Sequence, residues 1–193
     1  MNLQIGILDS TFGWEIVLRQ IGVSFQQVHP ETSLADFACL IVNQAVSEDA
    51  KQRITDYLNE GGVLITNTAA CLNLFSAHSK KIKIKYVQSQ PDSLFAEIGL
   101  IDFYHNFKIL KDCEFSFLDS SLFLQTKKQG KGRVINLPFD LDELVLNRDS
   151  LRKKFPAFRK ELPSEIVAKV SKGKIRKLIE TVLKFAFEER RLP

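Results

Sequence analysis

Ser47-Glu-Asp-Ala-Lys-Gln-Arg-Ile-Thr-Asp-Tyr-Leu-Asn-Glu-Gly-Gly-Val-Leu-Ile-Thr-Asn-Thr-Ala-Ala-Cys71 decides the fold. Ser47 is a helix cap, and Glu48 and Asp49 sit favourably against the positive end of the helix dipole. Ala50, Ile54 and Leu58, with Tyr57 beside them, form a buried stripe at helical spacing. Gly61-Gly62 ends the helix, because glycine accepts the left-handed conformation of a C-cap. Val63-Leu-Ile-Thr66 is apolar on both faces, as a strand covered by helices on both sides must be. A polar turn, Asn67-Thr-Ala69, follows.

Upstream, Leu3 to Leu8 reads as a first strand, closed by Asp9-Ser10. Ser10 or Thr11 caps a helix carrying Trp14, Val17, Leu18 and Ile21, and Gly22 stops it. Ser24 to Val28 is a second strand, and Phe37 to Val42 is a central one ending at Asn43-Gln44. Alternation of strands and helices over such short connections predicts a mostly parallel α/β sheet with right-handed crossovers. Downstream, Lys81-Ile-Lys-Ile-Lys-Tyr-Val87 alternates charge and apolarity, the pattern of an edge strand with one wet face. Leu94–Tyr104 and Cys113–Leu118 are strands or loops. Ser121–Thr126 and Gly132–Leu137 predict a hairpin whose turn is Lys127–Lys131. Helices are expected from Leu141, over Pro163–Val170 and from Lys174 to about Arg190, the last with a stripe of Ile175, Leu178, Ile179, Val182 and Ala186.

The 193 residues carry three cysteines in no short-spaced pair, which gives neither a disulfide framework nor a zinc signature. Together with the absence of a signal-like N-terminus and of any run of roughly 20 apolar residues, this predicts a cytoplasmic protein that does not enter a membrane. Charge is uneven: 14 Lys/Arg against 18 Asp/Glu in residues 1–150, and 13 against 5 in residues 151–193. Solvated faces of amphipathic helices account for such a tail. Nucleic acid is not expected as a partner, because the tail lacks the glycine and aromatic pattern of an RNA-binding module. No phosphate loop is present, and no cofactor or metal is expected.

Two motifs carry a family resemblance: Tyr57-Leu-Asn-Glu-Gly-Gly-Val-Leu-Ile-Thr66 and Gly130-Lys-Gly-Arg-Val-Ile-Asn-Leu137. In this order, on a sheet that starts at residue 3, they resemble the class I glutamine amidotransferase-like superfamily, in its ThuA-like and β-galactosidase trimerisation-like branches. The resemblance implies a flavodoxin-like, three-layer α/β domain over residues 1–140, followed by a basic helical extension over 141–193 that packs on it or on a downstream domain. Leu137-Pro-Phe-Asp140 and Lys160-Glu-Leu-Pro-Ser-Glu-Ile-Val167 resemble the region before polysaccharide deacetylase domains. That implies a possible downstream catalytic domain of the same polypeptide; the deacetylase's own motifs are absent.

The family's catalytic features are not recognisable. Where the family places a Gly-x-Cys-x-Gly elbow, this chain has Thr66-Asn-Thr-Ala-Ala70. Its oxyanion glycines correspond to Asn43-Gln44-Ala45, and Pro138-Phe-Asp140 replaces its His-x-Glu pair. Thr68 and Cys71 remain as weak catalytic candidates, in a divergent hydrolase with His78 or His105 as a relocated base. The leading expectation is a non-catalytic ligand-binding or domain-interaction module, with an oligomerisation module, a homo-oligomer, as a further alternative. Asp9, Ser10, Asn43, Asn67, Thr68 and Asp140 lie just beyond strand ends, where open α/β sheets bind ligands, and suit a small polar or sugar ligand. Capping helices and closing turns is the competing role for each of them.

Overall fold

The computed structural model describes residues 4–9, 11–111, 114–118, 124–146 and 172–190. Its main sheet has seven strands in the order β2-β1-β3-β4-β9-β8-β7: β1 Gln4–Leu8, β2 Phe25–Gln27, β3 Phe37–Val42, β4 Val63–Asn67, β7 Ser116–Phe117, β8 Gln125–Gln129 and β9 Gly132–Leu137. The first five in that order are parallel, and β8 and β7 add antiparallel at the far edge. This mixed, mainly parallel sheet is consistent with a flavodoxin-like α/β fold, with the reversal of strand order between β1 and β3. A separate two-stranded antiparallel sheet pairs β5, Ser79–Gln88, with β6, Leu100–Leu110.

The period-2 geometry of a strand divides the core in two. Ile5, Ile7, Cys39, Ile41, Val63, Ile65 and Ile135 face α1 (Phe12–Ile21) and the C-terminal helix α5 (Lys172–Glu189). Leu40, Val42, Leu64 and Val134 face α2 (Glu48–Asn59) and α3 (Thr68–Phe75). The predicted stripe of α5 is buried throughout: Ile175, Leu178, Ile179, Val182 and Ala186 are all at most 2% exposed. Arg133 Nε donates to Glu189 Oε2 at 2.5 Å, and Arg190 donates to the carbonyls of Phe37 and Ala35, so the end of α5 is tied to the sheet.

The helix stops behave as their residues require. Gly22 caps α1 at φ 73, and Ser47 Oγ accepts from Ala50 N at the start of α2. The two glycine motifs meet in space. Arg133 N donates to Gly62 O at 3.0 Å, and a Cβ on Gly132 would overlap that carbonyl and lie 2.6 Å from Leu58 O. A Cβ on Gly62 would collide with the Tyr57 ring, whose hydroxyl accepts from Val63 N at 3.2 Å.

Several boundaries differ from the sequence reading. The hairpin turn is confined to Gly130-Lys131, and β8 starts at Gln125 and takes in the lysines assigned to the turn. Backbone pairing on a neighbouring strand outweighs the hydrophilicity of Lys127 and Lys128. The weakly patterned Leu94–Tyr104 stretch resolves into a 3-10 turn at Ala96–Ile98 and the start of the long β6. A helix, α3, begins at Thr68, within the stretch that the sequence reads as a polar turn. The expected helix over Pro163–Val170 lies outside the described residues. Among the described residues no helix is long and apolar enough to cross a membrane.

Gly132→Ala is expected to destabilise the fold by about 3 kcal/mol, since the obstructing atoms are main chain and cannot rotate away. Gly22→Ala, facing open space with only its positive φ opposed, should cost about 1 kcal/mol. Urea denaturation of the two variants checks the difference.

Candidate functional site

The carboxyl ends of the parallel strands hold a band of buried polar side chains. Asn67 ends β4 and caps α3: its Oδ1 accepts from Ala70 N at 2.9 Å, and its Nδ2 donates to Asn43 O at 2.9 Å. Asn43, at the end of β3, is only 7% exposed, yet its own Nδ2 has no partner. Thr11, the N-cap residue of α1, is 2% exposed and makes no side-chain cap bond; its hydroxyl is likewise unpaired. Unpaired buried polar atoms are costly. Here two of them border the β1/β3 reversal.

Thr68 opens α3 and is 4% exposed. Its hydroxyl donates to Lys108 O on β6 at 2.6 Å and accepts from Asn136 Nδ2 at 3.2 Å. Asn136, within β9, also approaches Gln125 Oε1 at 3.5 Å, and its Oδ1 is unpaired. Gln125 holds β6 with both ends of its amide: Oε1 accepts from Leu110 N at 2.7 Å and Nε2 donates to Leu110 O at 2.9 Å. The β5–β6 hairpin is therefore clamped across the end of the sheet by side chains from α3, β8 and β9.

The structure thus brings Asn43, Asn67 and Thr68 into one contiguous band and adds Asn136 and Gln125, which sequence reasoning missed. Asn136 carried a signal, as a polar residue inside the apolar run Val134–Leu137. Gln125 carries none, because a glutamine near the end of the expected strand Ser121–Thr126 reads as an ordinary solvent-facing residue. Asp9 lies at the surface with φ 65, a left-handed backbone that Asp tolerates better than most residues. Asp140 caps α4 (Leu141–Leu146): its Oδ1 accepts from Asp142 N at 2.8 Å. Ser10 lies outside the described residues.

Cys71 is fully buried in α3 among the side chains of the α2–α3 face, and Cys39 is fully buried in β3. Burial pushes the Cys39 thiol up to about 12, because a thiolate there would lose its hydration. His29 and His78 are exposed. Among the described residues no three His, Cys, Asp or Glu side chains are grouped to hold a metal ion.

Comparison with known proteins adds the fold class. No protein-family model matches the chain. No curated protein matches it significantly either. Among solved structures it is similar to the β-galactosidase of Rahnella sp. R3, with TM-score 0.53 and 9% identity over 69% of this chain and 28% of that one. The β-galactosidase of Bacillus circulans sp. alkalophilus gives TM-score 0.53 and 10% identity over 79% of this chain and 31% of that one. A cytoplasmic protein of Salmonella typhimurium LT2 gives TM-score 0.51 and 13% identity over 86% of this chain and 97% of that one. The chain spans less than a third of either β-galactosidase. These are distant relationships of fold.

Gln125→Met, close in volume, leaves both main-chain groups of Leu110 unpaired and is expected to cost about 2–4 kcal/mol in urea denaturation. Alkylation at about pH 8, mapped by mass spectrometry, should leave Cys39 and Cys71 unmodified in the folded protein and modify both in guanidinium.

Proposed function

We propose that this chain is a non-catalytic, amidotransferase-like domain that binds a small polar ligand or docks against another domain, in the service of carbohydrate-active enzymes. The observation that carries the reading is the commitment of Thr68. At the position where an amidotransferase-like elbow presents its nucleophile, the only hydroxyl is buried, donates to a main-chain carbonyl and accepts from an asparagine amide. A nucleophile needs an accessible atom and a base to take its proton. Thr68 instead pins β6 to the end of the sheet. The complete burial of Cys71 supports the same reading.

The carbohydrate setting is supported by the fold shared with two β-galactosidases. The attachment to a polysaccharide deacetylase rests on the resemblance of Leu137–Asp140 and Lys160–Val167 alone. The ligand position is the β1/β3 reversal, with Asp9 on one side, and Asn43 and Asn67 on the other; Thr68 and Asp140 serve as its structural supports. The unpaired amide of Asn43 and hydroxyl of Thr11 support a polar occupant, whose hydroxyls would satisfy them.

Glutamine and p-nitrophenyl acetate should both go unhydrolysed by the purified protein. Turnover that Thr68→Ala or Cys71→Ala abolishes would overturn the non-catalytic reading. Galactose or mannose should raise the melting temperature of the wild-type protein, and Asp9→Ala or Asn43→Ala should remove the increase. The ligand reading is lost if neither sugar shifts the wild-type transition.

A further inference from the structure

The two edges of the β5–β6 sheet are treated differently. On β6, side chains occupy the outward main chain at both ends of the strand. Lys174 Nζ donates to Leu100 O, Thr68 Oγ1 donates to Lys108 O, and Gln125 takes both groups of Leu110. In an antiparallel pair, residues whose groups point outward on one strand lie opposite residues whose groups point outward on the other. Leu110 pairs with Ser79 and Lys108 with Lys81, so the N–H and C=O of Ser79, Lys81 and, by alternation, Lys83 point away from β6. No described residue bonds them. The register shifts after Ile84, which limits the regular open edge to Ser79–Ile84.

The exposed side chains along this edge are basic. Lys80, Lys81 and Lys83 are exposed on β5, and Lys108 is exposed on β6. Lys81 and Lys108 are direct cross-strand partners at a non-hydrogen-bonded position, where side chains stand closest. Like charges placed this way are destabilising. None of these four lysines has a carboxylate partner among the described residues. Between them Ile82 and Ile84 pack partly buried against the core, leaving a half-covered apolar row on the other face.

We propose that the outer edge of β5, from Ser79 to Ile84, is a docking site for an acidic extended segment of a partner protein. The segment adds as a further strand, bonding to the main chain of Lys81 and Lys83. Cross-strand neighbours share a face, so its alternate carboxylates stand beside Lys81 and Lys83, on the face that also carries Lys108, and its other side chains extend the row of Ile82 and Ile84. The lysines select the partner by charge. A second copy of β5 would set lysine against lysine, whereas a strand of alternating acid relieves the repulsion already present. A nucleic acid or a lipid surface could meet the charges, but neither offers a main chain to the open edge.

The test uses a labelled, acetylated peptide that alternates Glu and Val, followed by fluorescence anisotropy on the full chain. Binding should weaken with salt, and Lys81→Glu with Lys83→Glu should weaken it by more than about tenfold, as close opposite charges require. Lys83→Gln, which keeps the strand and loses one charge, should give a smaller loss. Two further peptides carry N-methyl groups, one on the Glu amides and one on the Val amides. Strand addition uses one alternate set of amides, so one of these peptides should lose binding and the other keep it. Equal binding of both methylated peptides and the parent, loss of binding by both, no binding of the parent, or insensitivity to the Glu substitutions would each overturn the proposal.

Discussion

The β5–β6 hairpin depends on a clamp of side-chain amides and one hydroxyl at the carboxyl end of the parallel strands. Gln125 holds both main-chain groups of Leu110, and Thr68 holds Lys108 O with Asn136 behind it. A two-stranded hairpin is marginal alone and needs a surface to lie on. Phe107 and Ile101 supply apolar burial, but burial is non-directional and would tolerate a sliding hairpin. The clamp fixes the register. In a dry interior these bonds are individually modest to gain and costly to lose, so the hairpin is specified by what its removal would leave unpaired.

The opposite end of the sheet is governed by close approach. Gly62 and Gly132 meet where α2 turns into β4 and where β9 begins, at a separation that leaves no room for a Cβ. This contact explains why the fold was legible from two short motifs. The motifs lie more than sixty residues apart in the chain, yet Gly132 is required by the main chain of Gly62 and Leu58, while Gly62 itself is required by the Tyr57 ring. The buried strands Phe37–Val42 and Val63–Thr66, the Gly22 stop and the stripe of α5 were legible for a related reason. Local pattern and tertiary burial agree in them.

Legibility ended where local pattern and tertiary role part. Lys127 and Lys128 read as turn residues because they are charged, whereas β9 offers them a ladder; the Lys128 side chain is exposed, and Lys127 pairs with Glu114 and lies over the rings of Phe75 and Phe115. Gln125 is hydrophilic in sequence and buried in fact, since its amide matches a peptide group in two bonds. The six polar residues placed beyond strand ends were found by a topological rule, which gives their address and not their work. The structure separates them: Asn67 and Asp140 spend their oxygens on helix caps, Thr68 spends its hydroxyl on β6, and Asn43 keeps an unpaired amide.

The clamp has a consequence for the far side of the hairpin. A two-stranded sheet has two edges, and side chains that satisfy β6 from within necessarily turn β5 outward. Charging that edge with lysine protects it from its own kind, which is the ordinary hazard of an open strand. The protection is sign-specific. The same electrostatics that exclude a basic strand make an acidic one the favoured complement, so the device against self-association also sets the chemistry of a partner. Thr68, whose hydroxyl is spent on Lys108 O, thereby helps decide which edge of the hairpin is left open.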